Sequence, residues 1–312
     1  MWVVRRNLSW LQMLFTGGKS LPRTIGRVLI VTALSVGMSW AHEQYPTHFP
    51  NLTATPFTLI GLPLGIFLGF RNTAAYDRFW EARKLWGALV NVSRNLARQV
   101  MTVPGVGISV GARQEATRQI AAFAHGLRTR LRDEKHTDAE RLLEEDVKPA
   151  LTRWLAAGSS LPLFVLDEVA RRLAQWRSAG QLSDIVWVPL EQSLVAMTDI
   201  LGACERIKNT PIPYSYTVLM HRIVAVYCLL LPLGIADQAK LMTPVVVFFV
   251  SYALFGLDAI GEEIEQPFGH DPNDLPLTRL CKVIEIDMKN ISAQTQLAEA
   301  AIEASPTAEV ET

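Results

Sequence analysis

The apolar residues of this chain are gathered into two blocks. Across residues 29–70 the only formal charge is Glu43, and across residues 223–257 there are two, Asp237 and Lys240. The stretch between them is rich in Arg, Glu, Asp and Lys. A hydrocarbon layer of about 30 Å takes roughly 20 apolar helical residues to cross. Each block is long enough to cross twice. The first is broken at His42-Glu43-Gln44-Tyr45-Pro46 and Pro50-Asn51, the second across residues 234–240. This predicts four short spans, at about 25–41, 56–70, 216–233 and 241–257. Each is near the lower limit of length, so four buried helices of a soluble bundle is the competing reading.

Charge placement favours the membrane. Arg5, Arg6, Lys19, Arg23 and Arg27 precede or open the first span, Arg71 and Arg78 follow the second, and Lys208 and Arg222 stand before and near the start of the third. The loop at residues 42–55 has no Lys or Arg. Positive residues stay on the cytoplasmic side, so both termini and the polar block are expected there, with the spans in the cell membrane. Cleavage of a signal at Ser39-Trp40-Ala41 is the rival for the start. The preceding stretch is long for such a signal and carries Trp10, Leu11, Leu14 and Phe15, and residues 8–15 look like an interfacial amphipathic helix.

Periodicity makes the middle helical. Phe79, Leu85, Trp86, Leu89, Val92 and Leu96 recur at spacings of three and four. A Gly/Pro break covers residues 103–110. Further helices are expected at 114–132, 138–156, 162–179 and 183–208, with Ser183-Asp184 as a helix start. No useful alternating run appears, so no strands are expected. The fold class read here is all-α, a membrane protein with four spans and a large cytosolic helical region. Its segments are an N-terminal cytosolic stretch (1–24), a first membrane pair (25–70), a cytosolic helical domain (71–215), a second membrane pair (216–257), a cytosolic acidic turn and helix (258–290) and an Ala/Glu/Thr-rich disordered tail (291–312).

Several chemistries are excluded. With 30 Lys+Arg against 30 Asp+Glu, the net charge is zero, and no global field draws in nucleic acid. Three widely spaced cysteines, Cys204, Cys228 and Cys281, form neither a disulfide framework nor a zinc motif. There is no GxxxxGK[ST] and no HExxH. The glycine-rich run Gly105-Val106-Gly107-Ile108-Ser109-Val110-Gly111 follows no strand and reads as a loop. His221, beside Arg222, reads as an interfacial residue. No histidine with a supporting partner is evident, so the chain is not expected to be an enzyme.

Two patterns carry positive chemistry. Leu62, Ile66 and Phe70 form one stripe of a helix, and Gly61, Gly65 and Gly69 a second. Glycine lets membrane helices approach closely. Large apolar groups from several copies around an axis would form a constriction that gates by dewetting. The plainer alternative is a stripe facing lipid or core. The second pattern runs from Asp258 to Asp274, where carboxylates surround a Pro/Gly turn. Asp271, Asn273 and Asp274 could supply oxygens to a hard cation. A capped turn before a helix starting near Leu275 is the alternative, and it carries more weight.

Three motifs together resemble the bestrophins, in their bacterial branch. They are Gly69-Phe70-Arg71-Asn72-Thr73-Ala74-Ala75-Tyr76-Asp77-Arg78-Phe79-Trp80-Glu81-Ala82-Arg83 with Trp86-Gly87, then Ile207-Lys208-Asn209-Thr210-Pro211-Ile212-Pro213-Tyr214-Ser215-Tyr216, then residues 258–269. The resemblance implies a homopentameric ion channel, each subunit joined by four identical ones in a lipid bilayer. It places a narrow neck at Leu62, Ile66 and Phe70 and a second, cytosolic aperture at Ile185. It also maps a calcium clasp of the animal members onto Glu263, Gln266, Asp271 and Asp274, where Pro272 and Asn273 break the animal acidic pattern. The permeant ion implied is small and monovalent, sodium or chloride. A membrane-bound metal-dependent enzyme, a soluble helical scaffold and a secondary transporter are the competing functions. The transporter should show inverted repeats and intramembrane charges, and neither is visible.

Overall fold

A computed structural model describes residues 20–45, 53–102 and 107–304. Among these residues all regular structure is helical. The helices are α1 (Ser20–Gln44), α2 (Thr55–Thr102), α3 (Val110–Arg132), α4 (Thr137–Glu140), α5 (Lys148–Ala156), α6 (Leu161–Ser178), α7 (Asp184–Asn209), α8 (Tyr214–Ala239), α9 (Thr243–Ile264) and α10 (Leu277–Ala304). The chain divides into two compact units. One holds the described residues up to Trp80 together with Thr210–Asp274, and the other Glu81–Asn209 with the described residues from Leu275 onward. The expected interfacial helix at 8–15 and the end of the tail lie outside the described residues.

The first unit contains the apolar helices. α1 packs on α9 and α8, and α8 packs on α9. Their shared core consists of Val28 and Val31, then Leu64 and Leu68, Met220, Val224, Cys228 and Leu231, and finally Val247 and Phe255. All four expected spans lie on helices long and apolar enough to cross a bilayer. The break expected at residues 234–240 is much shorter than the composition predicts. α8 runs through Gly234 to Ala239, and a 3-10 turn at Lys240–Met242 makes the whole reversal. Gly234 is packed rather than turning, because an added Cβ there would overlap the Phe57 ring. The unit also extends beyond the expected limits at Phe70 and Tyr216. Arg78 donates from Nε to the Glu265 carbonyl at 3.2 Å and from its guanidinium to the Thr210 carbonyl, which ties both segments to it.

The second unit is built around α3, which is buried almost throughout, from Arg113 to Leu131. α3 packs against α6, α10 and α7. Ser109 caps it by accepting the Ala112 N–H at 3.2 Å, and Asp133 ends it in the left-handed conformation, φ 53°. In α2, Ala82, Trp86, Leu89, Leu96 and Val100 are fully buried, whereas Leu85 and Val92 of the predicted stripe are half-buried. The single helix expected at 138–156 is two, α4 and α5, separated by turns. Pro149 has no N–H and fits only the first turn of a helix, so α5 starts at Lys148. α10 continues to Ala304, past residue 291, where the composition predicts a disordered tail. α7 also reaches the length and hydropathy of a span. Its apolar residues Leu190, Leu194, Met197, Leu201 and Cys204 instead form a buried face, as in a soluble amphipathic helix.

Candidate functional site

The two leucines of α2 that face the core of the first unit are Leu64 and Leu68, exposed by 3% and 1%. On the opposite side Leu62, Ile66 and Phe70 are exposed by 66%, 50% and 64%. The expected stripe is therefore intact and turned away from its own chain. The glycine stripe behaves differently along its length. A Cβ on Gly61 would meet the Tyr227 hydroxyl at 2.7 Å, but Gly65 and Gly69 have nothing within 4 Å. Four residues of α-helix turn about 400°, so a four-residue stripe drifts about 40° per step. The glycines start against α8 and end on the open side.

Ile185, the second residue of α7, is 86% exposed. The predicted helix start is present, with the Val186 N–H donating to Ser183 Oγ at 3.4 Å. Asp184 pairs with Arg177 at 2.8 Å, and that guanidinium lies 5.2 Å from the centre of the Trp187 ring. These contacts fix the first turn and leave Ile185 free to project.

Glu263, Gln266, Asp271 and Asp274 all line one cleft of about 250 Å³, with Thr24, Arg27, Glu262 and His270. Their chemistry there is that of a braced turn. Asp274 Oδ2 accepts the Asp271 N–H at 2.7 Å, and the Asp274 N–H returns to the Asp271 carbonyl at 3.0 Å. Glu263 Oε1 accepts from Asn273 Nδ2 at 3.0 Å. Asp274 thus caps a turn rather than the following helix, which begins two residues later than expected, at Leu277. A resident calcium ion wants six to eight converging oxygens. Among the described residues no group of three or more His, Cys, Asp or Glu is arranged to hold a metal. Arg27 also puts a cation on the cleft wall. Arg27 and the turn's own hydrogen bonds compete with a cation for these oxygens, while Glu263 Oε2 is buried there without a hydrogen-bond partner.

A buried polar cluster was not legible in the sequence. Arg71, fully enclosed, donates from Nη1 to Asp258 Oδ1 at 2.6 Å, and its Nη2 lies 3.5 Å from Glu265 Oε2. The other Asp258 oxygen is 2.5 Å from His221 Nδ1. Asn72 Nδ2 donates to the Leu257 carbonyl at 3.1 Å. His221, whose partner is not evident in the sequence, is thus paired with Asp258. Two more histidines have carboxylate partners, His42 with Asp237 at 2.7 Å and His125 with Glu285 at 3.1 Å. The three cysteines are buried and free, and burial pushes the Cys281 thiol up to about 12. A thiol held protonated is not a nucleophile.

Exposed apolar stripes on span-length helices and a buried ion-pair cluster are the marks of a multi-pass helical membrane protein. A family model described as "Bacterial/Fungal Bestrophin protein" matches residues 1–290. The chain is 38% identical over 296 residues to "Voltage-dependent anion channel-forming protein YneE" of Escherichia coli, covering 95% of each. It is 34% identical over 300 residues to a protein of the same description from Ralstonia nicotianae, covering 96% of this chain and 97% of that one. The crystal structure of a bacterial bestrophin homologue from Klebsiella pneumoniae superposes with a TM-score of 0.80 at 36% identity, over 86% of this chain and 98% of that one. The chain belongs to the bacterial and fungal bestrophin family. It is an oligomeric ion channel and not an enzyme.

Proposed function

We propose that the chain is a passive channel in which five copies enclose one axial pore. Leu62, Ile66 and Phe70 form its neck and Ile185 its cytosolic aperture. The observation that carries this is the outward exposure of the three neck residues beside the buried Leu64 and Leu68. A soluble protein gains nothing by turning three large apolar groups of one helix to water, whereas symmetry mates around an axis convert them into a ring. Such a ring sheds water when narrow and passes ions when it widens, without choosing their sign.

In this reading residues 25–70 and 216–257 lie in the inner membrane, and residues 71–215 and 258–290 are cytoplasmic, as are both termini. The support is the Lys and Arg residues before the first span, after the second and at the start of the third, and their absence from residues 42–55. The permeant ions are small and monovalent, sodium or chloride. The curated relatives carry anion-channel names, which motivates a direct measurement of sign. No calcium-dependent step enters this reading.

Two measurements test it together. Native mass spectrometry in detergent should give a five-chain assembly, and recording of the purified protein in planar bilayers under asymmetric sodium chloride should give unitary currents. A monomer with no currents would refute the reading.

A further inference from the structure

An apolar neck cannot select ion sign, so the selecting charge must lie elsewhere along the path. We infer that Asp77 is a specificity-determining residue, placing a ring of carboxylates on the pore wall just beyond Phe70 and biasing the channel toward cations. This rests on the neck assignment above and deepens it.

The argument starts from the three formal charges in residues 53–80, which are Arg71, Asp77 and Arg78. The two cations are withdrawn from the open face. Arg71 is enclosed against Asp258 and Glu265. Arg78 is partly buried and is spent on the carbonyls of Glu265 and Thr210. Asp77 is exposed, and no ion pair holds it among the described residues.

Helix geometry then fixes its direction. With about 100° per residue, Ile66 and Phe70 lie about 40° and 80° round the helix from Leu62. On the same scale Thr73 lies at about 20° and Asp77 at about 60°, within the arc of the neck stripe. α2 is unbroken from Thr55 to Thr102, so this register holds across residues 62–77. Seven residues of rise put Asp77 about 10 Å past Phe70 along the axis. The open face therefore reads Leu62, Ile66, Phe70, Thr73, Asp77, an apolar stretch followed by a hydroxyl and then a carboxylate. Rings of carboxylates are how cation pores choose their ion, and repetition around an axis multiplies the field of one side chain.

The test uses the full-length protein in neutral-lipid bilayers with asymmetric sodium chloride. The wild type should reverse on the sodium side of zero. Asp77→Asn should move the reversal potential toward zero, Asp77→Lys should carry it to the chloride side, and Asp77→Glu should keep it at the wild-type value. Raising the salt from about 0.1 M to about 1 M shortens the screening length from about 10 Å to about 3 Å, so the wild-type preference should weaken while that of Asp77→Asn stays put. Size-exclusion profiles matching the wild type would show that the variants assemble. Reversal potentials of Asp77→Asn and Asp77→Lys equal to that of the wild type, or a wild type that prefers chloride, would overturn the inference. If Phe70→Ala still raises conductance in that case, the neck survives and only the role of Asp77 falls. If Phe70→Ala changes nothing either, both fall.

Discussion

The Arg71 guanidinium meets the Asp258 carboxylate at 2.6 Å, with side-chain exposures of 0% and 1%. The two residues stand 187 positions apart in the chain. They join α2, one residue past Phe70, to α9, the last apolar helix. His221 closes the other side of the carboxylate and brings in α8. Removing one member of a buried pair strands the other, which costs about 3–5 kcal/mol, whereas replacing both by apolar groups of similar size is often neutral. Asp258→Asn should therefore lower the thermal midpoint in detergent sharply. The double change Arg71→Met with Asp258→Leu should recover much of it. Equal losses in the single and double variants would contradict this account.

The two faces of α2 should respond differently to the same change. Leu62→Ala, Ile66→Ala and Phe70→Ala combined should raise unitary conductance, because a ring of shrunken side chains loses its dewetting barrier. Leu64→Ala or Leu68→Ala, inside the core, should instead cost about 2–5 kcal/mol of stability. Bilayer currents and thermal melts separate the two. Unchanged conductance in the triple variant would count against the neck.

Gly126 on α3 is a close-packing position. An added Cβ would overlap Leu161 Cδ2 and come 3.5 Å from the Pro162 nitrogen at the start of α6. Gly126→Ala should cost about 1–3 kcal/mol, the usual penalty for overfilling a packed contact. Leu161→Val, which shortens the clashing side chain, should recover part of it. Additive losses in the double variant would show that the helices separate rather than clash.

Acid should loosen the contact between α3 and α10. His125 is buried there and its pKa is lowered, first by burial, against the opposing pull of Glu285. A histidine held neutral when folded binds more protons when unfolded, so stability falls as pH drops below about 6.5 toward the lowered folded value. Glu285 acts in a lower window. Burial pushes its carboxyl up, but the donors from Lys289 and Arg141 outweigh that and hold it at about 2. Its contribution is full above about 4.5 and is lost as pH falls toward its folded value. Hydrogen exchange of α3 amides across pH should show both losses, and His125→Gln should remove only the upper one.

The parts of the fold visible in the sequence were those set by period and by segregation. Four apolar stretches, the stripe at Leu62, Ile66 and Phe70 and the Ser183 helix start each depend on neighbours within a few turns. The break before α5 was equally local, since Pro149 marks it, but the expectation of one helix at 138–156 passed over it. Contacts between distant segments left no such trace. His221 looks solitary until α9 brings Asp258 beside it, and Asp77 differs from Arg78 only once the structure shows which way each points. The acidic turn was ambiguous for another reason. Carboxylates spaced to cap a turn and carboxylates spaced to hold a cation share one composition, and the turn hydrogen bonds of Asp274 and Glu263 are visible only in the structure.

The enclosed guanidinium also has a meaning for synthesis. Arg71 leaves the ribosome well before the aspartate that neutralises it, so the first hairpin reaches the bilayer with a bare cation beside its hydrophobic end. It must wait there, wetted or held by headgroups, until the final hairpin delivers the counterion. Maturation of the subunit is thereby tied to the arrival of its C-terminal half, and a chain cut short before α9 would keep an unquenched charge where the finished molecule has none.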